Sequence, residues 1–269
     1  MTVTNAVETT MIWGTVSGAS MVGMVISLLL SVGLPIFLGI FIYKKTKAWV
    51  PAFFIGCGIF VGFAMILEQI CHAIVLMLTG SVLQDNIWLY GLYGGVAAAL
   101  FEETGRWIAM KFCLKKHLTR ENALMYGAGH GGIEAFLILG MSSMSNLLTA
   151  AMINGGLMEK TMTALEPAQQ EVTYHQLSVL WTTPAYQFYL APVERISAIA
   201  LQIALSILVY SAVKTGRKLH LAAAFGLHFA VDFLTVVCAS TIPTWALELG
   251  LLMVVAVICV AVYKLAYVS

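Results

Sequence analysis

Long, uninterrupted apolar stretches alternate with short polar turns along this chain, at about residues 20–43, 51–79, 87–113, 121–142, 194–213, 219–240 and 244–266. Each can cross a hydrocarbon layer of roughly 30 Å at about 1.5 Å per helical residue. With no water to satisfy the backbone, only a helix keeps every amide and carbonyl paired across such a stretch. The runs are continuous and do not alternate over about ten residues, which speaks against a transmembrane β-barrel. The pattern predicts an all-α, polytopic transmembrane helical bundle of about seven to eight spans.

The count depends on residues 143–193. This segment joins a Gly-broken apolar piece (Asn146 to Met158) to a polar stretch with Glu159, Lys160, Glu166 and Glu171. An aromatic piece with Trp181, Pro184, Tyr186, Phe188 and Tyr189 follows. It reads as an extracytoplasmic helical hairpin or lid, or alternatively as an irregular eighth span. No internal repeat or linker divides the chain, so residues 1–269 read as a single integral-membrane domain.

Composition agrees. The chain is 60% hydrophobic and 10% charged, with a mean hydropathy of +0.91, whereas soluble domains carry about 25% charged residues. A net charge of +1 leaves no basic excess, so a nucleic-acid partner is not expected. The partners expected are the lipid bilayer and a membrane protein or peptide; the oligomeric state is open. The first 18 residues lack a basic region ahead of a short apolar core, so the first run is expected to act as an uncleaved signal-anchor. Five scattered cysteines without CxxC spacing read as buried thiols.

The basic residues orient the bundle. Lys44, Lys45 and Lys47 share one loop, Lys111, Lys115, Lys116 and Arg120 a second, and Lys214, Arg217 and Lys218 a third; Lys264 lies near the C-terminus. The intervening loops are poor in Lys and Arg. With seven spans, the positive-inside rule places the N-terminus outside and the C-terminus in the cytoplasm.

Charge inside the spans is the conspicuous exception, because each such group costs about 2.5–3.5 kcal/mol even on lenient insertion scales. The third run carries Glu102, Glu103 and Arg106, the fourth His130 and Glu134, and the sixth His228 and Asp232. Helical rise puts Glu102 about 18 Å from Leu114, His130 roughly 15 Å from Arg120 and His228 about 14 Å from Leu219. Three helices thus bring ionisable groups to one depth. Glu102/Arg106, His130/Glu134 and His228/Asp232 are i,i+4 pairs, each on one helix face, and that face must turn into the bundle. Glycines such as Gly127, Gly129, Gly131 and Gly132 flank these positions and allow close helix approach or room for a substrate.

Carboxylates, imidazoles and a guanidinium in a dry pocket can activate a water molecule. His130, His228, Glu102 and Asp232 are also acceptable ligands for Zn²⁺ or another divalent metal. The motifs HExxH, HxxEH and GxSxG are absent, which favours activated water over a covalent nucleophile. A structural ion pair is the plain alternative for Glu102, Glu103 and Arg106. A proton-coupled transporter or a non-catalytic scaffold are the alternatives for the whole cluster. Glu68 and His72, together with Glu194 and Arg195, read as a separate structural ion cluster near the outer face, with substrate gating as the alternative. Tyr126 reads as packing or an interfacial contact.

The strings Glu102-Glu103-Thr104-Gly105-Arg106, Tyr126-Gly127-Ala128-Gly129-His130 and His228-Phe229-Ala230-Val231-Asp232 resemble the three motifs EExxxR, FxxxH and HxxxN/D. These belong to the CAAX-protease and bacteriocin-processing superfamily. EETGR with GHGGIE looks most like its YhfC-type branch of intramembrane proteases, over roughly residues 87–240. The resemblance implies an intramembrane endopeptidase, glutamic-type or metal-dependent, in a bacterial plasma membrane. Glu102 would activate water with Glu103 in support, and Arg106 would orient the acidic pair. His130 would also contact the water, while His228 and Asp232 would stabilise the oxyanion. Glu134 resembles the second-motif glutamate of the related PrsW-type proteases. The arginine stands one position closer than in EExxxR, Tyr126 replaces Phe, and Asp232 stands where prenyl-protein proteases carry Asn. The last difference favours a metal.

Overall fold

The computed structural model of the protein describes residues 11–267, and those residues contain helices and no strand. Among the described residues eight helices run for 16 residues or more: α1 (Gly18–Thr46), α2 (Pro51–Thr79), α3 (Ile87–Ile108), α4 (Arg120–Asn154), α5 (Pro167–Thr182), α6 (Ala185–Thr215), α7 (Lys218–Ala239) and α8 (Thr244–Tyr267). Six of them, all except α3 and α5, are long and apolar enough to cross a membrane. The chain is therefore a polytopic helical membrane protein. At 22 residues, α3 is also of spanning length, about 33 Å. It is less apolar because Glu102, Glu103 and Arg106 fall within it.

The turns carry their own start and stop signals. Ser17 accepts a hydrogen bond from the amide of Ser20 at the start of α1. Asn86 does the same for Trp88 and Leu89 at α3, and Thr119 for Asn122 at α4, each satisfying amides that the first turn leaves unpaired. Lys47, in the left-handed region at φ 58°, ends α1. Asn122 ties two loops together: its side-chain oxygen accepts from the Trp49 amide at 2.7 Å and its side-chain amide donates to the His117 carbonyl at 2.7 Å. The rings of Trp49 and His117 stack 4.2 Å apart, and Arg120 lies over the Tyr267 ring. The α1–α2 loop, the α3–α4 loop and the end of α8 thus meet at one end of the bundle, with their lysines.

Helix α6 forms the centre. In its most apolar stretch 67% of positions are buried, against 17–22% in the other five long apolar helices. Helix α4 is wedged between α2 and α6, α7 lies along α3, and α8 packs on α6. Glycine makes the wedge possible. A methyl group on Gly129 would run into the Phe53 carbonyl of α2, and one on Gly131 would stand 3.0 Å from both Ile199 Cα and Gln202 Cβ of α6. Two stretches of wider π-helical turn, Val61–Glu68 in α2 and Phe136–Gly140 in α4, end at or begin just beyond Glu68 and Glu134. Such bulges re-aim side chains and often lie at functional sites.

Residues 143–193 are the far half of α4, a short helix Leu157–Met162, all of α5 and the start of α6. The far half of α4 and α5 share an apolar cluster with Val16 and Met24 through Ala150, Ile153, Leu180 and Trp181, and the connection between them passes through Gly156 at positive φ. The expectation of buried thiols is corrected in degree: all five cysteines are free, four are half-buried and Cys113 is exposed, because they sit on helix faces that the bundle covers only partly.

Candidate active site

Helices α3, α4, α6 and α7 bring their polar side chains to one point. Glu102, Glu103, Arg106, His130, Glu134 and His228 are all buried. His130 Nε2 is 2.9 Å from Glu102 Oε2, and Tyr126 Oη is 3.4 Å from His130 Nδ1. The consistent tautomer has Nε2–H donating to Glu102 and Nδ1 accepting from the tyrosine. On the other side of Glu102, His228 Nδ1 lies 2.8 Å from Glu103 Oε1. Its Nε2 faces Asp232 Oδ2 at 3.4 Å and Glu102 Oε1 at 4.0 Å. A histidine whose Nδ1–H is held by a carboxylate has its Nε2 lone pair oriented and more basic.

Arg106 has no solvent exposure and links three helices. Its Nε is 3.3 Å from Glu103 Oε2, and its Nη1 donates to the Gln202 carbonyl at 2.7 Å and to Ser206 Oγ at 3.0 Å. Its Nη2 donates to the Gln202 side-chain oxygen. Glu102 lies at 4.0 Å. The fork is held by α6 as much as by its own acidic pair.

Gln202 and Ser206 are the members of the polar cluster that charge-based reasoning missed. The Gln202 side-chain amide donates to Glu102 Oε2 at 2.9 Å and to Glu134 Oε2 at 2.8 Å, joining two carboxylates through one nitrogen. A signal existed: Gln202 is the lone amide side chain in the apolar run of α6. The expected separate cluster of Glu68, His72, Glu194 and Arg195 needs correction. Arg195 pairs with Glu134 at 3.1 Å and with its neighbour Glu194, extending the central network. His72 pairs instead with Glu68 at 3.2 Å and with Tyr93 at 2.8 Å. Glu68 still lies within charge range of Glu102, His228 and Asp232, because its wide turn swings it inward. Tyr126 is more than packing, since its hydroxyl orients His130.

The donor set suits a divalent metal only in part. Among the described residues no three His, Cys, Asp or Glu side chains converge as a ready cage. The 3.4 Å between His228 Nε2 and Asp232 Oδ2 matches two ligands sharing a cation at roughly 2.0–2.2 Å each. The 4.0 Å to Glu102 would have to shorten. His130 is the least suited of the four expected ligands, because its Nε2 is directed at Glu102 with the Arg106 guanidinium 3.4 Å away. A cavity of about 740 Å³ between α1, α4, α5 and α6, lined by Ser27, Ser143, Asn146 and Gln187 among others, opens about one helical turn from Glu134 and Arg195.

Buried carboxylates and histidines clamped by a buried guanidinium at the heart of a multi-pass helical bundle define a membrane protein with an enzyme-like polar centre. Residues 30–259 match the family described as YhfC intramembrane metalloprotease, and the chain belongs to that family. It is 42% identical over 204 residues to the uncharacterized membrane protein YhfC of Bacillus subtilis (strain 168), covering 72% of this chain and 76% of that one. No solved structure matches.

Proposed function

We propose that the protein is an endopeptidase that hydrolyses peptide bonds of membrane-embedded or membrane-associated substrates, working from a bacterial plasma membrane with its N-terminus outside. The observation that carries this reading is the Glu102–His130 contact of 2.9 Å, buried at the junction of four helices with His228 and Asp232 across from it. Glu102 Oε2 receives an imidazole N–H and the Gln202 amide, so it is held in place to bind a water and take its proton. Arg106 and the Glu103–His228 pair keep that carboxylate and the opposite imidazole from rotating away. Without a metal, His228 protonated at Nε2 would donate to the developing oxyanion. Of the chain's donors, His228 Nε2, Asp232 and Glu102 Oε1 would hold the divalent metal implied by the family description. Bound there, it would polarise the scissile carbonyl and acidify a water. The family description and the metal-type donors around His228 favour hydrolysis over proton transport.

Comparing membrane-protein termini in cells carrying the wild type, Glu102→Gln or His228→Ala at equal expression tests the proposal. New termini are expected in the wild type and absent in both variants, with folded protein retained. Termini that persist in either variant would remove the role assigned to that residue.

A further inference from the structure

The cavity of about 740 Å³ between α1, α4, α5 and α6 is not used by the chemistry at Glu102. Hydroxyl and amide side chains line it: Ser143, Asn146 and Thr149 of α4, Gln176 of α5, Thr183 just after it and Gln187 of α6. No Asp, Glu, Lys, Arg or His stands among the described residues of its walls. Those six side chains make no hydrogen bond to any described residue. Ser27, on the α1 wall, differs, since its hydroxyl is held by the Gly23 carbonyl at 2.9 Å and the Phe188 carbonyl at 3.1 Å. Ser143 makes the point best. It is only 4% exposed, and a serine within a helix can donate to a carbonyl one turn earlier. Its Oγ has no such partner and is not sealed off either, so it opens onto the cavity.

Uncharged donors and acceptors with no partner suit a ligand that is itself neutral and dense in hydrogen-bonding groups. A lipid phosphate or a charged side chain would enter without a counter-ion, which is costly away from water. A polypeptide backbone fits the chemistry. The carbonyls of a helical span are hydrogen-bonded and shielded, so a membrane-embedded substrate has to unwind locally before a water can attack it. Unwound backbone at membrane depth is tolerated only where it is buried in protein or lines a water-filled cavity. The size agrees, because a helical span about 10 Å wide and 30 Å long fills roughly 2,400 Å³. The cavity therefore admits a few extended residues and no helix. It also adjoins the site: Leu139 and Ala191 line it, about one turn along α4 and α6 from Glu134 and Arg195. The Gln202 amide then joins Glu134 to Glu102.

We propose that this cavity receives an unwound, extended stretch of the substrate on one side of the bond to be cut, with its hydroxyl and amide side chains pairing the freed backbone groups. The substrates are then spans with an uncharged, poorly helix-forming stretch beside the cut, rich in residues such as Gly, Ser, Thr and Asn. Asn146 stands about 18 Å along α4 from Glu134, a reach that about six extended residues cover at roughly 3.3 Å each. The inference rests on the proteolytic reading and adds a substrate class to it.

The test compares membrane-protein termini from cells carrying wild type, Glu102→Gln, a leucine variant (Asn146→Leu with Gln187→Leu) and an amide-exchanged variant (Asn146→Gln with Gln187→Asn). Size-exclusion profiles in detergent check folding. On one side of the Glu102-dependent cuts, about six residues are expected to lack Asp, Glu, Lys and Arg and to hold more Gly, Ser, Thr and Asn than other spans of the same membrane. The folded leucine variant should lose at least about tenfold in Glu102-dependent termini, and the amide-exchanged variant should recover part of that loss. Cuts with no such flanking stretch would overturn the inference and leave the proteolytic reading intact. Wild-type cleavage by the folded leucine variant would do the same, and so would equal loss in both double variants, which would make the effect one of shape. If the leucine variant fails to fold, the flanking composition decides alone. Absence of any Glu102-dependent termini would overturn both readings.

Discussion

Gln202 shows how a neutral side chain can govern a charged site. Its amide nitrogen satisfies Glu102 and Glu134 while its side-chain and backbone oxygens take two nitrogens of Arg106. Replacing it with leucine keeps the bulk and removes every side-chain bond, leaving buried ionic groups short of partners at about 1–3 kcal/mol each. Gln202→Leu is expected to lower thermal stability in detergent by at least about 2 kcal/mol. It should also cut Glu102-dependent cleavage by roughly a hundredfold through misplacement of the carboxylate, in kcat more than in KM. An unchanged kcat would mean that Glu102 is positioned by His130 alone. At this scale most of the site was legible from the chain. Glu102, Glu103, Arg106, His130, Glu134, His228 and Asp232 fall together as their matched depth predicts. Gln202 and Ser206 escaped because a search for misplaced charge passes over neutral donors. Arg195 was noticed but assigned to the wrong neighbours, since spacing along α6 does not reveal which helix its long side chain reaches.

At the scale of elements, α4 carries the information about packing. Its glycines admitted two readings, close helix approach or space for a substrate, and the geometry selects the first: Gly129 lies against the α2 backbone and Gly131 against α6. That closeness brings His130 within hydrogen-bonding range of α3. Gly94 on α3 has open space where a methyl group would stand. Gly129→Ala should therefore destabilise the protein by about 1–3 kcal/mol through overpacking, whereas Gly94→Ala should be neutral or slightly stabilising. Melting temperatures of the two variants, measured side by side in one detergent, decide the matter. Equal values would show that α2 and α4 can separate at little cost. Helix positions were read well from apolar runs, but ends were not. Helix α4 continues to Asn154, past the predicted limit at 142, because Ser142, Ser143, Ser145 and Asn146 are polar without breaking a helix. Apolar content reports where lipid or core lies, and hydrogen-bonded helix can run beyond it.

At the scale of the whole molecule, the lysine-bearing turns gather at one end. Asn122 and the Trp49–His117 stack join the first two, and the Arg120–Tyr267 contact brings in the C-terminal end. Loop charge alone predicted that these segments share a side, through a count of seven spans. The side-chain contacts arrive at the same grouping without counting spans, so the two arguments are independent. The membrane potential and the insertion machinery favour positive loops inside, so the proposed orientation puts that end in the cytoplasm. The turn around Asp85, between α2 and α3, belongs at the opposite end. In a background with the five native cysteines replaced, Lys45→Cys and Lys115→Cys should resist a membrane-impermeant maleimide in intact cells and react once the cells are opened. Asp85→Cys should react in both. Reaction of Lys45→Cys in intact cells would invert the bundle. With Lys45→Cys and Asp85→Cys reacting alike, α2 could not cross the bilayer, and the 29-residue stretch Pro51–Thr79 would have to lie within one leaflet or re-enter from the same face.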